Sequence, residues 1–509
     1  YSKENVPFRP KHWFTVSAEG VKPGDLILVT GYPGRTQRLQ TYAQVKEVTE
    51  WSMPRSIRLA REQLTILDQL SKDKAVALKV AGRVQGLNNG VTNQRGMLEG
   101  LDKGGSLRLK EQQEQELEQW IRADPARQKK YGDVLPALRA LHAQSEKTRE
   151  RNATLVSLRM SSSYLSAAEM LYRLADERPK SDMEREEGYQ QRDLPRIRES
   201  QERLQRTIDP TVDRALLKWA LGLAAALPAT ERIDAIDQAI GLQPAMAKAE
   251  VDKAIDSFVP RLFAGTRLAD RDFRTGLIGK SMSELLATKD SFIQLAAALE
   301  PLAKSIREAS NERSGAQARL MPRYMEALLA KAGGLVAPDA NSTLRITYGQ
   351  VQGVDAKDGL YYKPQTTLAG IVEKHKGHDD FNAPKVQLDA IEALRSGKKT
   401  PYSDKALGDV PVNFLSTVDT TGGNSGSPTL NARGELVGLL FDGVYESVAS
   451  NFLFDEKTTR SIHVDSRYML WNMAEVDGAE NLLREMSVGD GRSGSEPQPR
   501  RSMGAPGAQ

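Results

Sequence analysis

The spacing of hydrophobic and polar positions changes period twice along the chain. Residues 21–34 (VKPGDLILVTGYPG) hold the apolar run Leu26-Ile27-Leu28-Val29 between Pro23-Gly24 and Tyr32-Pro33-Gly34-Arg35. A short apolar run bounded by turn residues predicts a buried strand. The second tetrapeptide predicts a type II turn, with proline presetting φ and glycine accepting a positive φ. From about 54 to about 332 apolar residues recur at helical spacing, as at Leu59, Leu64, Leu67 and Leu70. Asp124-Pro125 and Asp209-Pro210 read as N-caps followed by proline at the first helical position. The second predicts a helix over 211–227 ending at Pro228; its apolar part carries Lys218, is too short to cross a membrane and suits the core of a bundle. Charged stretches such as 110–118 (KEQQEQELE) read as solvated helix surface. At Ser342 the period returns to two, Leu344, Ile346 and Tyr348 alternating with Thr343, Arg345 and Thr347. Asp358-Gly359 predicts a hairpin between 351–354 and 360–362, further short strands follow through Asp442, and 467–486 reads as helix. The Gly, Pro, Ser and Arg of 489–509 predict a disordered tail.

The order is therefore β, a long helical block, then β. It predicts a helical domain inserted into a β domain, divided as 1–53, 54–335, 336–488 and 489–509, over a helical domain with two unrelated β flanks. Length alone, at roughly 150 residues per domain, would have suggested three serial domains. Aromatic residues are 6% of the chain, which leans toward helix. The absence of cysteine excludes disulfides, thiolate metal sites and a cysteine nucleophile. A formal charge of +4 is too even to suggest nucleic acid, and no metal or organic cofactor is implied.

The chemistry concentrates in 420–443, TTGGNSGSPTLNARGELVGLLFDG. Gly423-Asn424-Ser425-Gly426-Ser427-Pro428 fits G-x-S-G-x-P, the nucleophile loop of chymotrypsin-like serine peptidases. A nucleophilic serine needs a sharp turn with its hydroxyl exposed, and the amides of Gly423 and Ser425 must point inward to hold the oxyanion. Ser427 is the competing nucleophile, but it stands where trypsin-like enzymes carry a second glycine, so Ser425 is preferred. Asn424 stands where trypsin carries an aspartate that pairs with a new N-terminus; an amide makes no such ion pair. The loop is followed by an Asn-x-x-Gly turn and an apolar strand ending in Phe441-Asp442-Gly443.

Together TGGNSGSP, GLLFDG and 460–468 (RSIHVDSRY) resemble the bacterial dipeptidyl-peptidase 7/11 family, as does VTGYPGRT before the helical block. The resemblance implies an α+β fold: a chymotrypsin-like barrel pair with a large inserted helical domain, of which this chain holds the second barrel and little of the first. It implies release of dipeptides from free peptide N-termini by Ser425, with Gly423 in the oxyanion hole. Asp442 would bind the substrate α-ammonium, beside Phe441, and Gly443 would shape the specificity pocket. An arginine at that last position accompanies acidic second residues; glycine implies apolar or aromatic ones. A periplasmic or cell-surface location and a homodimer are implied as well.

In this fold the base and its orienting acid precede the serine, the histidine in a T-N-H-H-type segment, and neither motif occurs here. His12 sits in a linker-like context, His142 on a helix surface, His375 and His378 in an exposed loop, and His463 in a strand-like run. None is a convincing base. The expectation is an N-terminally truncated peptidase, inactive by itself. The alternatives are a non-catalytic peptide-binding or scaffold relative, and an endopeptidase, against which Asp442 argues.

Overall fold

The computed structural model describes residues 10–243, 245–378, 381–486 and 488. They form two compact units. One takes the described residues up to Gln40, Gly96–Ser106 and those from Ala337 on; the other takes Thr41–Arg95 and Leu107–Val336.

The second unit is helical. Its longer helices include α1 (Met53–Leu70), α2 (Lys74–Lys103, whose last turns belong to the first unit), α3 (Ser106–Arg122), α4 (Val134–Glu146), α5 (Ser163–Glu177), α6 (Pro210–Ala225), α7 (Lys248–Ala264) and α8 (Ser291–Ala332). Asp209 caps α6 as its sequence requires, accepting from the amides of Thr211 and Val212 at 3.0 and 3.3 Å, and Asp124 caps Pro125–Tyr131 in the same way. Leu216, Leu217, Ala220, Leu221 and Ala224 form the buried stripe of α6. Where α5, α7 and α8 meet, the rings of Tyr164, Phe263 and Phe292 pack with centroids 5.0 to 5.4 Å apart.

The first unit is built on a seven-stranded antiparallel sheet. Its strands are β1 (Leu26–Gly31), β2 (Arg345–Gln350), β5 (Gln365–Thr367), β6 (Pro411–Ser416), β7 (Pro428–Asn431), β8 (Leu436–Gly443) and β9 (Ser461–Asp465); β3 (Val354–Lys357) and β4 (Leu360–Tyr362) form a separate hairpin. The order is β2-β1-β7-β8-β9-β6-β5. Beyond β2, Val351 bridges Ser416 of β6, so the first strand in the order meets the sixth. Alternation places Ile27 and Val29 inward, where they pack with Val21, Val351, Phe414, Val418, Val437 and Leu440.

Several sequence expectations need correction. The segment expected to be β through residue 53 turns helical at Tyr42, capped by Thr41. Residues 96–106 leave the helical block because Gly96, Gly100 and Gly104 lie against Tyr445, Ala449 and Leu453; their bare faces let the backbone approach. The 110–118 stretch is not wholly solvated: Glu114 is buried, accepting from the Tyr42 amide at 2.6 Å and from Arg139 at 2.8 Å. The helix expected over 467–486 is broken into α9 (Ser466–Trp471), a π-helical turn over Asn472–Val476 and Glu480–Glu485, with Gly478 at φ +61° between the last two. Gly34 does not take a positive φ, so Tyr32-Pro33-Gly34-Arg35 is not a type II turn. The tail expected over 489–509 lies outside the described residues.

Candidate active site

Residues 417–427 connect β6 to β7. The loop folds on itself through the Asn424 amide to Thr421 O (3.1 Å), the Ser427 amide to Asn424 O (2.8 Å) and the Thr421 amide to Asn424 Oδ1 (3.1 Å). It is tied to β8 by the Gly426 amide to Leu440 O (2.7 Å) and the Leu440 amide to Ser427 O (3.0 Å). Gly423 and Gly426 have φ of +104° and +84°, values that exclude most side chains. Asn424, whose side chain is spent inside the turn, and Ser427 are both buried. Ser425 is exposed at the tip, and its hydroxyl donates to Phe441 O at 3.3 Å. Of the two serines, only Ser425 is open to a substrate. Among the described residues the amides of Gly423 and Ser425 donate to no acceptor.

The Ser425 contact leads to Asp442. A bulge between Leu440 and Asp442 interrupts the β8–β9 register, and the two consecutive side chains of Phe441 and Asp442 both face solvent. One carboxylate oxygen of Asp442 accepts from the Gly443 amide at 2.8 Å. A β-carbon at Gly443 would stand 2.8 Å from Ser447 Oγ and 3.5 Å from Arg460 O, so the backbone is closely covered there. Ser425, Phe441, Asp442 and Gly443 are thus brought to one edge by the bulged end of β8.

The histidines are placed differently. His463 is fully buried in β9, bonded through Nε2 to Ser416 Oγ and through Nδ1 to Thr429 Oγ1, both 2.7 Å, and stacked on Phe414. Burial pushes its pKa down to about 3, so it is a neutral core residue with both nitrogens engaged. His142 is in the helical unit and is not a surface residue: its ring is mostly buried, with Nδ1 3.2 Å from Glu47. His375 Nδ1 accepts from the Ala383 amide. Among the described residues no hydrogen bond joins a histidine to Ser425, and no three His, Asp or Glu side chains cluster as a metal site.

Sequence reasoning missed the braces behind the loop. Arg38 holds Asp419 by two parallel bonds of 2.5 and 2.8 Å and donates from Nε to Ser450 O. Thr421 Oγ1 donates to Asn451 Oδ1 at 2.6 Å. The Gly34 amide donates to Gly422 O at 2.7 Å. The GYPGRT stretch was the available signal, read as a turn because a contact with residues so distant in sequence leaves no local pattern.

The family model for peptidase S46 matches residues 1–488. An Asp/Glu-specific dipeptidyl-peptidase of Shewanella putrefaciens is 36% identical over 96% of this chain and 68% of its own length. A dipeptidyl-peptidase 7 of Capnocytophaga gingivalis is 28% identical over 96% of this chain and 66% of its own. The crystal structure of Porphyromonas endodontalis DPP11 in complex with the dipeptide Arg-Glu superposes with a TM-score of 0.75, at 27% identity, over 96% of this chain and 68% of that one. The chain thus spans about two thirds of the length of these relatives. They lend no support to two expectations, an apolar second residue and inactivity of the isolated polypeptide. The relatives of 30 to 36% identity carry Asp/Glu-specific names. Among the described residues no helix is long and apolar enough to cross a membrane. The family model over residues 1–488 and the relatives agree: the chain belongs to peptidase family S46, a family of serine dipeptidyl peptidases.

Proposed function

We propose that this chain carries the nucleophile and the N-terminus-binding group of a dipeptidyl aminopeptidase. Ser425 Oγ attacks the carbonyl carbon after the substrate's second residue, and the amides of Gly423 and Ser425 hold the resulting oxyanion. Collapse expels the shortened peptide as an amine, which takes up a proton, and water then releases the dipeptide from the acyl-serine. Proton transfer requires a base, and none of the five histidines holds that position among the described residues. Asp442 grips the α-ammonium and so counts two residues from the nucleophile. The observation that carries the reading is the single edge formed by exposed Ser425, the Phe441 carbonyl and the exposed Asp442 carboxylate. The six strands from β2 to β6 that return through the Val351–Ser416 bridge are read as the nucleophile-bearing barrel of a chymotrypsin-like enzyme.

For the second residue, the names of the more similar relatives favour an acidic side chain. One observation favours the apolar reading: Gly443, covered by Ser447, offers no cation of its own. Periplasmic or cell-surface action on peptides with free N-termini, as a homodimer, accompanies the proposal as a family implication. The test is hydrolysis of dipeptidyl-coumarins by the full product of the gene, with Asp, Glu, Leu and Phe at the second position. Turnover should disappear on N-acetylation of the substrate and in Ser425→Ala, and KM should rise in Asp442→Asn. Equal cleavage of acetylated and free peptides would refute the aminopeptidase reading, and the ranking of the four residues decides the specificity.

A further inference from the structure

The GYPGRT segment is neither the turn its sequence suggested nor part of the reaction as written, yet it lies backbone to backbone against the nucleophile loop. The Gly34 amide donates to Gly422 O at 2.7 Å, and a β-carbon on Gly34 would stand 2.7 Å from that same oxygen. A β-carbon on Gly423 would stand 2.6 Å from Tyr32 O and 2.8 Å from the Gly34 amide. Both glycines are therefore needed for approach as well as, at Gly423, for conformation. The peptide joining Gly422 to Gly423 is planar and trans, so its N–H points opposite to its C=O. Flanked by two glycines, this peptide meets little steric resistance to flipping. Holding the Gly422 carbonyl from one side fixes the direction of the Gly423 N–H on the other.

We infer that Gly34 is the positioning residue of the oxyanion hole: by anchoring the Gly422 carbonyl it aims the Gly423 amide at the substrate oxyanion. This rests on the reading of Ser425 and Gly423 given above. The 32–36 loop is held from behind. The Ser342 amide donates to Pro33 O at 2.9 Å, Ser342 Oγ donates to Gly34 O at 3.2 Å, and Thr36 Oγ1 donates to Asp339 at 2.6 Å. Ser342 makes its contacts from φ +65°, a conformation that disfavours serine and suits glycine. That strain sits directly behind Gly34.

Two variants of the full gene product test the inference. Gly34→Ala should lower kcat by about 10²–10³-fold, as for loss of one oxyanion donor. KM and the affinity for the product dipeptide should stay within about twofold, because substrate binding does not use the oxyanion donor. Affinity for a dipeptidyl boronate, a mimic of the tetrahedral intermediate, should fall with kcat. If Gly34→Ala fails to fold, Ser342→Gly decides: it relieves the backbone and deletes the hydroxyl brace, so the unfolding temperature should hold or rise while kcat falls several-fold. Wild-type kcat in the folded variant tested, or a matching loss of dipeptide affinity, overturns the inference. Ser425→Ala separates the two levels: turnover retained there refutes the site itself, whereas an inactive Ser425→Ala beside a fully active Gly34→Ala refutes the role of Gly34 alone.

Discussion

The close cover over Gly443 makes a quantitative prediction that does not depend on turnover. Gly443 is outside the left-handed region, so an alanine is conformationally permitted; the obstacle is space. Its β-carbon would stand 2.8 Å from Ser447 Oγ, which is buried and donates to Val444 O at 2.6 Å. To make room the hydroxyl must leave that bond or the backbone must shift. Breaking the bond costs about 1 kcal/mol and overpacking about 1–3 kcal/mol, so Gly443→Ala should destabilise by about 2–4 kcal/mol. Ser447→Ala alone loses the bond, but Val444 O keeps the Ser447 amide at 2.9 Å, so the cost is about 1 kcal/mol. In the double variant the obstructing oxygen is gone, and the total should stay near 1–1.5 kcal/mol. The two substitutions should therefore couple favourably by about 2 kcal/mol or more. Urea unfolding of the 509-residue chain at the four corners of the cycle measures this. Additivity within about 0.5 kcal/mol would refute the idea that Ser447 limits what residue 443 can be. The same reasoning says that Gly443→Arg is accommodated only in the Ser447→Ala background.

His463 gives a pH prediction. Burial holds its pKa at about 3, so below its ordinary value near 6.5 the unfolded chain takes up a proton that the folded chain refuses. Its contribution to stability is complete above about pH 6.5 and is lost as pH falls toward 3, by up to about 1.4 kcal/mol per pH unit. The urea midpoint of His463→Gln should lack that part of the slope between pH 6.5 and 4; an identical slope would contradict it. The glycines of α2 should respond in opposite directions. At Gly86 a β-carbon meets nothing, and alanine should raise stability by about 0.4–1 kcal/mol. At Gly100 it would stand 2.6 Å from Ala449 Cβ, and alanine should lower the unfolding temperature despite its better helix propensity.

What could be read beforehand was what neighbouring residues impose on one another. The caps at Asp124 and Asp209 lie within three residues of the amides they accept. The nucleophile turn holds its serine and its positive-φ glycines within a few positions. The Asp358-Gly359 hairpin formed with Gly359 at φ +72°, though its first strand runs Val354–Lys357 rather than 351–354. What could not be read was set by partners far along the chain. Gly34 is glycine because of Gly422, and Gly96 and Gly100 because of Tyr445 and Ala449. Glu114 belongs to a charged run yet is buried by Tyr42 and Arg139. The bulge that turns Asp442 outward is fixed by the register of β8 on β9, which no periodicity in β8 alone reveals.

The pairing of β1 with β2 sets a schedule for synthesis. Leu26 pairs with Gln350 and Gly31 with Arg345, and on its other side β1 pairs with β7, which is later still. When β1 leaves the ribosome neither of its neighbours exists. At roughly 5–20 residues per second, it waits about 15–60 s with Ile27 and Val29 uncovered. During that interval the helical unit, whose residues all precede β2, can already fold. The strand that ends beside the nucleophile loop is thus made well before either of its partners, and a nascent chain stalled inside α8 would present it as an open edge to any chaperone, or any other strand, within reach.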